Sequence, residues 1–263
     1  MEILVCIRRV PDTSENEIQL NSAGNDIERD ELVYSINEPD NYAVEEALQI
    51  VVRSGGTVTV ATVGNDDDEE VLRREMAMGA NRGVLMSDDA FEGSDARGIA
   101  TILKAFVQTG HYDLILTGVQ AEDGGAQIGG MLAALLDYPF ASLVNSIEVV
   151  EGRKLKISRE IEGGNKEMNE IDLPCVLSIQ TGINEPRYVG MRGIRQVAGV
   201  PIPTFRAKDL GIGACAVGEA AAKVRRADYF VPAIAKSAEI LRGSREENID
   251  KVLELVAAKG GLK

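Results

Sequence analysis

Short runs of apolar and β-branched residues alternate with helical patterns through the first half of the chain. Each run is apolar almost throughout, which is typical of a strand buried on both faces of a parallel sheet. We predict such strands at residues 3–7, 57–63, 83–86 and 112–117. Between them, segments with apolar residues on one helical face predict helices near 41–53, 67–78 and 95–108. The alternation predicts an α/β fold with a doubly wound, mostly parallel sheet and right-handed crossovers.

After Pro139 the pattern changes to short strands that have no helices between them. Turns at Glu151-Gly152 and at residues 162–164 separate these strands, as in β-hairpins. We predict antiparallel additions to the sheet at residues 142–150, 154–161, 168–171 and 176–179. From Pro201 onward proline and glycine recur, so we expect an extended connection that adds nothing to the core.

The end of the chain predicts a separate helix at about residues 245–259. Ser244 followed by Glu247 is a capping box, and Ile249, Val252 and Val256 then fall on one helical face. This helix has no evident place in the layers of the sheet. We therefore expect an α/β domain at residues 1–228 and a C-terminal helical arm at 229–263 that packs on a partner.

The charge of the chain narrows the choice of partners and compartment. Acidic residues number 42 against 28 basic ones, a net charge of −14, which disfavours nucleic acid and anionic lipid. No apolar run reaches the roughly 18 residues of a membrane helix, and the first basic residues follow the apolar start instead of preceding it. We expect no membrane insertion and a cytoplasmic location. Cys6, Cys175 and Cys215 lack paired spacing, so we expect core residues and no disulfide or zinc site.

Few residues in the sequence suit catalysis or metal binding. The single histidine, His111, lies in a loop that enters a strand, so we expect no catalytic residue of the chain's own. The acidic run at residues 66–70 lacks the spacing of an EF-hand loop. It stands where a helix begins, and carboxylates there favour the positive end of the helix dipole. We therefore expect no metal site.

The segment 112–131 is the most informative of the chain, because a strand runs into a glycine-rich turn and then a helix. Such a turn presents backbone N–H groups at a helix N-terminus, which suits a phosphate. It matches neither the Walker A nor the dinucleotide-binding pattern, and Gly125 and Gly129 could equally permit close helix packing. In a doubly wound sheet this loop should converge with the loops after Ile7 and Val63.

Five separated motifs carry a family resemblance over nearly the whole chain. In order and spacing they resemble the β subunit of electron transfer flavoproteins: ILVCIRRVPD at 3–12, SINEPDNYAVEEA at 35–47, AMGANR at 77–82, GVQAED at 118–123 and NEPRY at 184–188. A further family signature begins at Arg159 and leads to Pro174 at the right distance. Its apolar position is filled by Asn169, which we interpret as divergence at one strand position.

The resemblance implies a Rossmann-like fold of the adenine nucleotide hydrolase-like type and a heterodimer with an α subunit. In this family the α subunit holds the electron-carrying FAD, and the β subunit binds AMP or, in electron-bifurcating members, a second FAD that oxidises NADH. The arm would pack on the α subunit. Electrons would come from acyl-CoA or related dehydrogenases, as in fatty acid β-oxidation, and pass to a quinone oxidoreductase or another redox acceptor.

The same resemblance assigns nucleotide-binding positions, residue by residue. The backbone of Cys6 would meet the adenine, Asn37 and Asp40 belong to the loop before the first helix, and Val63 ends the second strand. The phosphate loop would comprise Ala121, Asp123, Gly124, Gly125, Ala126, Gln127, Ile128, Gly129, Gly130 and Met131.

Elementary chemistry suits most of these assignments. Gly129 would let backbone amides approach phosphate, Gln127 can donate its amide, and Asn37 can pair with ribose or base. Asp40 and Asp123 would repel a bare phosphate, so we expect them to accept from ribose hydroxyls or amides, or to hold the loop. The loop is one residue shorter than is common in the family, which leaves both AMP and FAD as alternatives.

The residues after NEPRY resemble the recognition loop by which the family docks acyl-CoA dehydrogenases. The resemblance places Tyr188, Met191 and Ile194 at the docking surface, with Met191 as the apolar anchor. A flexible thioether can fill apolar pockets on varied partners. The alternative is that Met191 covers the core of its own chain.

Overall fold

The computed structural model describes residues 1–121, 125–213, 215–232, 238 and 240–261. Its strands are β1 (Glu2–Cys6), β2 (Arg9–Pro11), β3 (Tyr34–Ile36), β4 (Thr57–Val63), β5 (Arg82–Met86), β6 (Leu114–Gly118), β7 (Phe140–Val150), β8 (Lys154–Ile161), β9 (Asn165–Asp172), β10 (Cys175–Ile179) and β11 (Thr204–Phe205). Its α-helices are α1 (Glu38–Ser54), α2 (Glu69–Met78), α3 (Ala96–Val107), α4 (Ile128–Leu136), α5 (Met191–Val197) and α6 (Arg245–Ala258).

Nine strands form one sheet in the order β11-β5-β4-β1-β6-β10-β7-β8-β9, and β2 and β3 form a small separate hairpin. Every neighbouring pair from β11 to β7 is parallel, whereas β7-β8 and β8-β9 are antiparallel. The predicted doubly wound α/β fold is confirmed. The prediction for residues 176–179 is wrong in direction, because β10 returns to the middle of the sheet and pairs parallel to β6 and β7.

Helices cover the parallel strands on both faces, which explains why these strands are apolar throughout. On one face α1 and α2 pack on Ile3 and Val5 of β1 and on the matching side chains of β4. On the other face α3 and α4 pack on Leu4 and Cys6 of β1. Successive side chains of a strand point to opposite faces, so β1 contributes to both cores.

The chain after Pro201 contributes to the core, which corrects the expected extended connection. β11 adds an edge strand beside β5, and the ring of Phe205 lies 5.4 Å from that of Phe106. Val217 is only 1% exposed. Proline and glycine bend this segment into turns, but its apolar side chains still pack into the second core, which lies between the sheet and the helices α3 and α4. Cys6 and Cys175 are buried as expected, whereas Cys215 is exposed because it lies in the turns outside the sheet.

The predicted terminal helix is confirmed as α6. The Ser244 hydroxyl accepts from the amide of Glu247, whose carboxylate accepts from the amide of Ser244 at 2.7 Å, so the capping box is formed at both ends. No residue of α6 is buried. The division at residue 228 and the packing of the arm on a partner stay predictions. Among the described residues, no helix is both long and apolar enough to cross a membrane.

Candidate functional site

The carboxyl ends of β4, β1 and β6 meet at one edge of the sheet. From β1 the chain winds outward through β4 and β5, and then returns to β6 on the other side of β1. Ligands of doubly wound sheets bind at such a reversal, beyond the carboxyl ends of the strands. Cys6 and Val63 are the last residues of β1 and β4. The predicted convergence of the three loops is therefore confirmed.

Asp40 joins two of these loops from the first turn of α1. Its carboxylate accepts from the backbone amide of Arg8 at 2.9 Å and from that of Gly118 at 2.8 Å. Burial raises the pKa of this carboxyl to about 7, although the hydrogen bonds and the charge of Arg8 oppose the rise. A Cβ at Gly118 would collide with the carboxylate, so that glycine permits the contact. Of the roles expected for Asp40, the structure shows amide acceptance and loop holding.

Asn37 and Cys6 are both buried beside Asp40. Asn37 is 2% exposed, and its Nδ2 donates to the carbonyl of Gln120 at 2.9 Å. That nitrogen already has a partner in the protein, and pairing of Asn37 with ribose or base stays a prediction. Burial raises the pKa of the Cys6 thiol to about 12, which keeps the thiol protonated and unreactive. The contact of the Cys6 backbone with adenine stays a prediction.

The start of α4 has the features of an anion site. Gln127 is the N-cap residue and makes no side-chain capping bond, so its side chain leaves the amides at the beginning of α4 unoccupied. Gly125, Ala126 and Gln127 are exposed, and a Cβ at Gly125 would make only an ordinary contact, at 3.5 Å from Nε2 of Gln127. A nucleotide phosphate fits here, because helical N–H groups and the Gln127 amide are both donors. Asp123 and Gly124 lie outside the described residues.

Gly129 has a packing reason that the sequence left open as an alternative. A Cβ at Gly129 would lie 2.9 Å from Oγ1 of Thr117 and closer still to Oγ of Ser178. Those two hydroxyls hydrogen bond to each other at 2.9 Å on β6 and β10. Gly129 thus brings α4 close to the sheet. Ile128 and Met131 also pack on the second core, so this part of the predicted phosphate loop offers backbone rather than side chains.

A cleft of about 550 Å³ opens beside this edge, at the carboxyl ends of β4 and β5. Val63, which the resemblance assigns to the nucleotide site, belongs to its lining. Ser87, Asp88 and Arg206 also line it, and sequence reasoning missed them. Ser87 and Asp88 directly follow β5, so the rule that ligands bind beyond strand ends would have found them. Arg206 comes from the segment that was expected to lie outside the core.

The structure bears on the acidic run and on His111 as well. The first part of the acidic run, Asp66–Asp68, forms a 3₁₀ turn that leads into α2, and the side chain of Asn65 accepts from the amide of Asp67 at 2.9 Å. Among the described residues, no group of histidine, cysteine and carboxylate side chains could hold a metal ion. His111 precedes β6 and thus lies at the opposite edge of the sheet from the converging loops.

The predicted docking residues form an exposed apolar surface on and before α5. Tyr188 is 91% exposed, Met191 63% and Ile194 44%. In this chain Met191 therefore does not cover its own core, and that alternative is wrong. Docking of a partner at this surface stays a prediction.

An ion pair and a pair of amide hydrogen bonds hold the segment before α5 on α1. The guanidinium of Arg187 donates to both carboxylate oxygens of Glu45, at 2.8 and 3.0 Å. Burial raises the pKa of Glu45, but hydrogen bonds from Arg187 and Gln49 outweigh it and leave the pKa below its usual value. The amide of Asn184 donates to the carbonyl of Tyr42 and to Glu46, each at 3.1 Å. The NEPRY motif therefore holds the start of the predicted docking segment on α1.

A third contact holds the other end of α5. Arg73 of α2 donates to the carbonyls of Val197, Ala198 and Val200, at 2.8, 3.1 and 3.2 Å. Helix C-termini leave carbonyls without partners, and a cation there is favourable. Arg73 therefore caps α5 from a neighbouring helix.

Comparisons with known proteins identify relatives over nearly the full length. Residues 25–210 match the family model described as the electron transfer flavoprotein domain. The chain is 35% identical to the electron transfer flavoprotein subunit beta of Methylophilus methylotrophus, covering 97% of this chain and 98% of that protein. It is 31% identical to the protein of the same name from Bacillus subtilis, over 98% of each. It is also 34% identical to the caffeyl-CoA reductase-Etf complex subunit CarD of Acetobacterium woodii, over 93% of each.

Proposed function

The chain belongs to the β subunits of the electron transfer flavoprotein family, and we propose that it serves as the nucleotide-binding and partner-docking half of a heterodimeric electron carrier. Membership implies an α subunit as partner and association with flavin. The observation that carries the proposal is the meeting of the loops after β1, β4 and β6 beside the start of α4. We expect the complex to work in the cytoplasm.

In this proposal the FAD of the α subunit supplies the redox chemistry, and the chain's own residues provide positions and charges. AMP would lie at the converging loops, with adenine near the backbone of Cys6 and with phosphate at the amides that open α4. Asp40 and Asn37 would hold the surrounding loops in place through their bonds to Arg8, Gly118 and Gln120. The chain would contribute no catalytic residue.

The exposed surface of Tyr188, Met191 and Ile194 would dock the electron donor, an acyl-CoA or related dehydrogenase. The exposure of all three side chains supports this role, because large apolar groups exposed together mark interaction sites. Electrons would leave to a quinone oxidoreductase or another redox acceptor.

Cofactor counting and donor reduction test the proposal. The heterodimer is purified without added nucleotide and denatured, and FAD and AMP are quantified in the extract. We expect one FAD and one AMP for each heterodimer, and bleaching of the visible flavin absorbance by an acyl-CoA dehydrogenase with its substrate. A complex that retains no adenine nucleotide in this subunit, or that no dehydrogenase reduces, would contradict the proposal.

A second candidate is an electron-bifurcating complex in which this chain binds a second FAD that oxidises NADH. The observation in its favour is the similarity to the subunit of the caffeyl-CoA reductase-Etf complex over 93% of both chains. The shortened loop before α4 is compatible with either nucleotide. Two flavins for each heterodimer and reduction by NADH would favour this candidate over the electron carrier with AMP.

A further inference from the structure

We propose that α5 selects redox partners whose docking pocket is apolar and edged by carboxylates, because Arg192 and Arg195 flank its apolar anchor. This inference rests on the proposed docking role of Tyr188, Met191 and Ile194. It adds the charge of the partner and two residues, Arg192 and Arg195, that determine which partner is accepted.

The docking segment is a basic region in an acidic protein. The chain carries a net charge of −14, yet residues 186–208 contain no aspartate or glutamate. The same stretch contains five basic residues, namely Arg187, Arg192, Arg195, Arg206 and Lys208. Arg187 is neutralised by its pairing with Glu45. The net charge of this region is therefore positive, opposite in sign to the net charge of the whole chain.

Arg192 and Arg195 present that charge at the surface of α5. Both side chains are exposed, and among the residues that the structure describes neither guanidinium has an ion-pair partner. On a helix, residues three positions apart are neighbours on one face. Met191 and Ile194 thus form one stripe, and Arg192 and Arg195 form a second stripe beside it.

The surface is already shaped before a partner arrives. Arg73 caps the end of α5, and Gly193 lets the helix approach α2, since a Cβ there would lie 2.8 Å from the carbonyl oxygen of Ala77. Arg187 fixes the preceding segment on Glu45. A preorganised surface loses little entropy on docking, so the positions of its charges can distinguish between partners.

Charge complementarity indicates the chemistry of the partner. A net negative protein and an acidic pocket repel at long range, whereas a basic stripe at the contact orients their encounter. A pocket with a basic edge would be rejected by Arg192 and Arg195 at short range. The partner that fits both stripes has an apolar cavity for Met191 and aspartate or glutamate residues at its edge.

The test uses the complete heterodimer with an acyl-CoA dehydrogenase as donor, varied over ionic strength. Arg192→Glu and Arg195→Glu are compared with Arg97→Glu, which makes the same charge reversal at an exposed site on α3, across the sheet from α5. The measured quantities are kcat and the KM of the dehydrogenase for the heterodimer. Flavin content and melting temperature are recorded for every variant.

At low salt we expect each α5 reversal to raise KM about three- to tenfold with kcat retained, and we expect the Arg97 control to leave KM unchanged. The increase in KM caused by each α5 reversal should diminish as the salt concentration is raised, because exposed charges are screened over about 8 Å at physiological ionic strength. Equal KM values for the α5 and control variants would overturn the inference. So would a salt-dependent self-association of the heterodimer that Arg195→Glu abolishes, since α5 would then bind a second copy.

Met191→Ala separates failure of this inference from failure of the proposed function. If Met191→Ala raises KM and the two reversals do not, docking stands and the charge selection is wrong. If Met191→Ala leaves KM unchanged, the docking role itself is wrong, and the inference falls with it.

Discussion

Glu75 offers a quantitative test of the packing between α1 and α2. Its side chain is fully buried, and within the described part of the chain neither carboxylate oxygen has a hydrogen-bond partner. Burial raises the pKa of this carboxyl from 4.5 to about 8; Arg74 opposes the rise, and Asp40 and Glu45 add to it. The folded protein therefore keeps a proton that the unfolded chain releases at neutral pH. The wild-type protein should therefore lose stability as the pH rises, and we predict that Glu75→Gln removes this loss.

The sign and size follow from the two pKa values. The pKa is raised in the folded state, so the contribution to stability is full below pH 4.5 and is lost as the pH rises through about 8. At about 1.4 kcal/mol for each pKa unit, the loss between pH 5 and pH 8 amounts to about 3 to 4 kcal/mol. The glutamine amide in turn leaves a buried polar group unpaired, at a cost of about 1 to 3 kcal/mol that does not depend on pH.

Urea unfolding of the heterodimer, followed by circular dichroism between pH 5 and pH 8, measures this difference. Relative to wild type, Glu75→Gln should gain stability steadily as the pH rises. Glu70→Gln, at an exposed position of the same helix, is the matched control and should follow wild type. If the Glu75→Gln and wild-type curves stay parallel over this range, Glu75 is ionised in the folded state and the argument is wrong.

Three further predictions concern the nucleotide site, the docking helix and the α subunit. Gln127→Ala should lower the nucleotide content of denatured extracts with an unchanged melting temperature. Gly129→Ala should instead lower the stability by about 1 to 3 kcal/mol, because it overpacks α4 against Ser178. The reverse pattern would contradict both roles. Arg73→Met should speed hydrogen exchange of the α5 amides and raise KM for the dehydrogenase, with Arg73→Lys restoring part of both, and unchanged exchange would rule out the capping role. Expressed without the α subunit, the chain should aggregate, because α6 exposes Ile249, Val252 and Leu253 at 47% or more; a stable monomer with a cooperative melt would refute this.

The parallel core could be predicted from the sequence because burial on both faces forces continuous apolar strands. The direction of β10 could not, since a mostly apolar five-residue strand looks the same in a parallel and in an antiparallel neighbourhood. The chain after Pro201 was also missed. Local turn residues say nothing about which distant ring, here Phe106, an apolar side chain such as Phe205 will contact.

The candidate site was predicted mainly from family motifs, and the structure adds the contacts that connect them. No pattern in the sequence indicates that Asp40 accepts from two loops or that Arg73 reaches the end of α5, because both depend on tertiary packing. Glu75 is different. It lies four positions after Val71 and three after Leu72, so the helical period alone places it on the buried face.

The bonds of Asp40 also bear on the direction in which the proposed nucleotide would lie along the edge of the sheet. The amides of Arg8 and Gly118 already donate to the carboxylate of Asp40, so these two donors are occupied at the centre of the edge. Gln127, the N-cap residue of α4, makes no side-chain hydrogen bond to the amides at the start of that helix. In the proposed site a nucleotide would therefore point its phosphate toward α4 and its base toward β1 and β4, and one buried acid would set the polarity of the ligand.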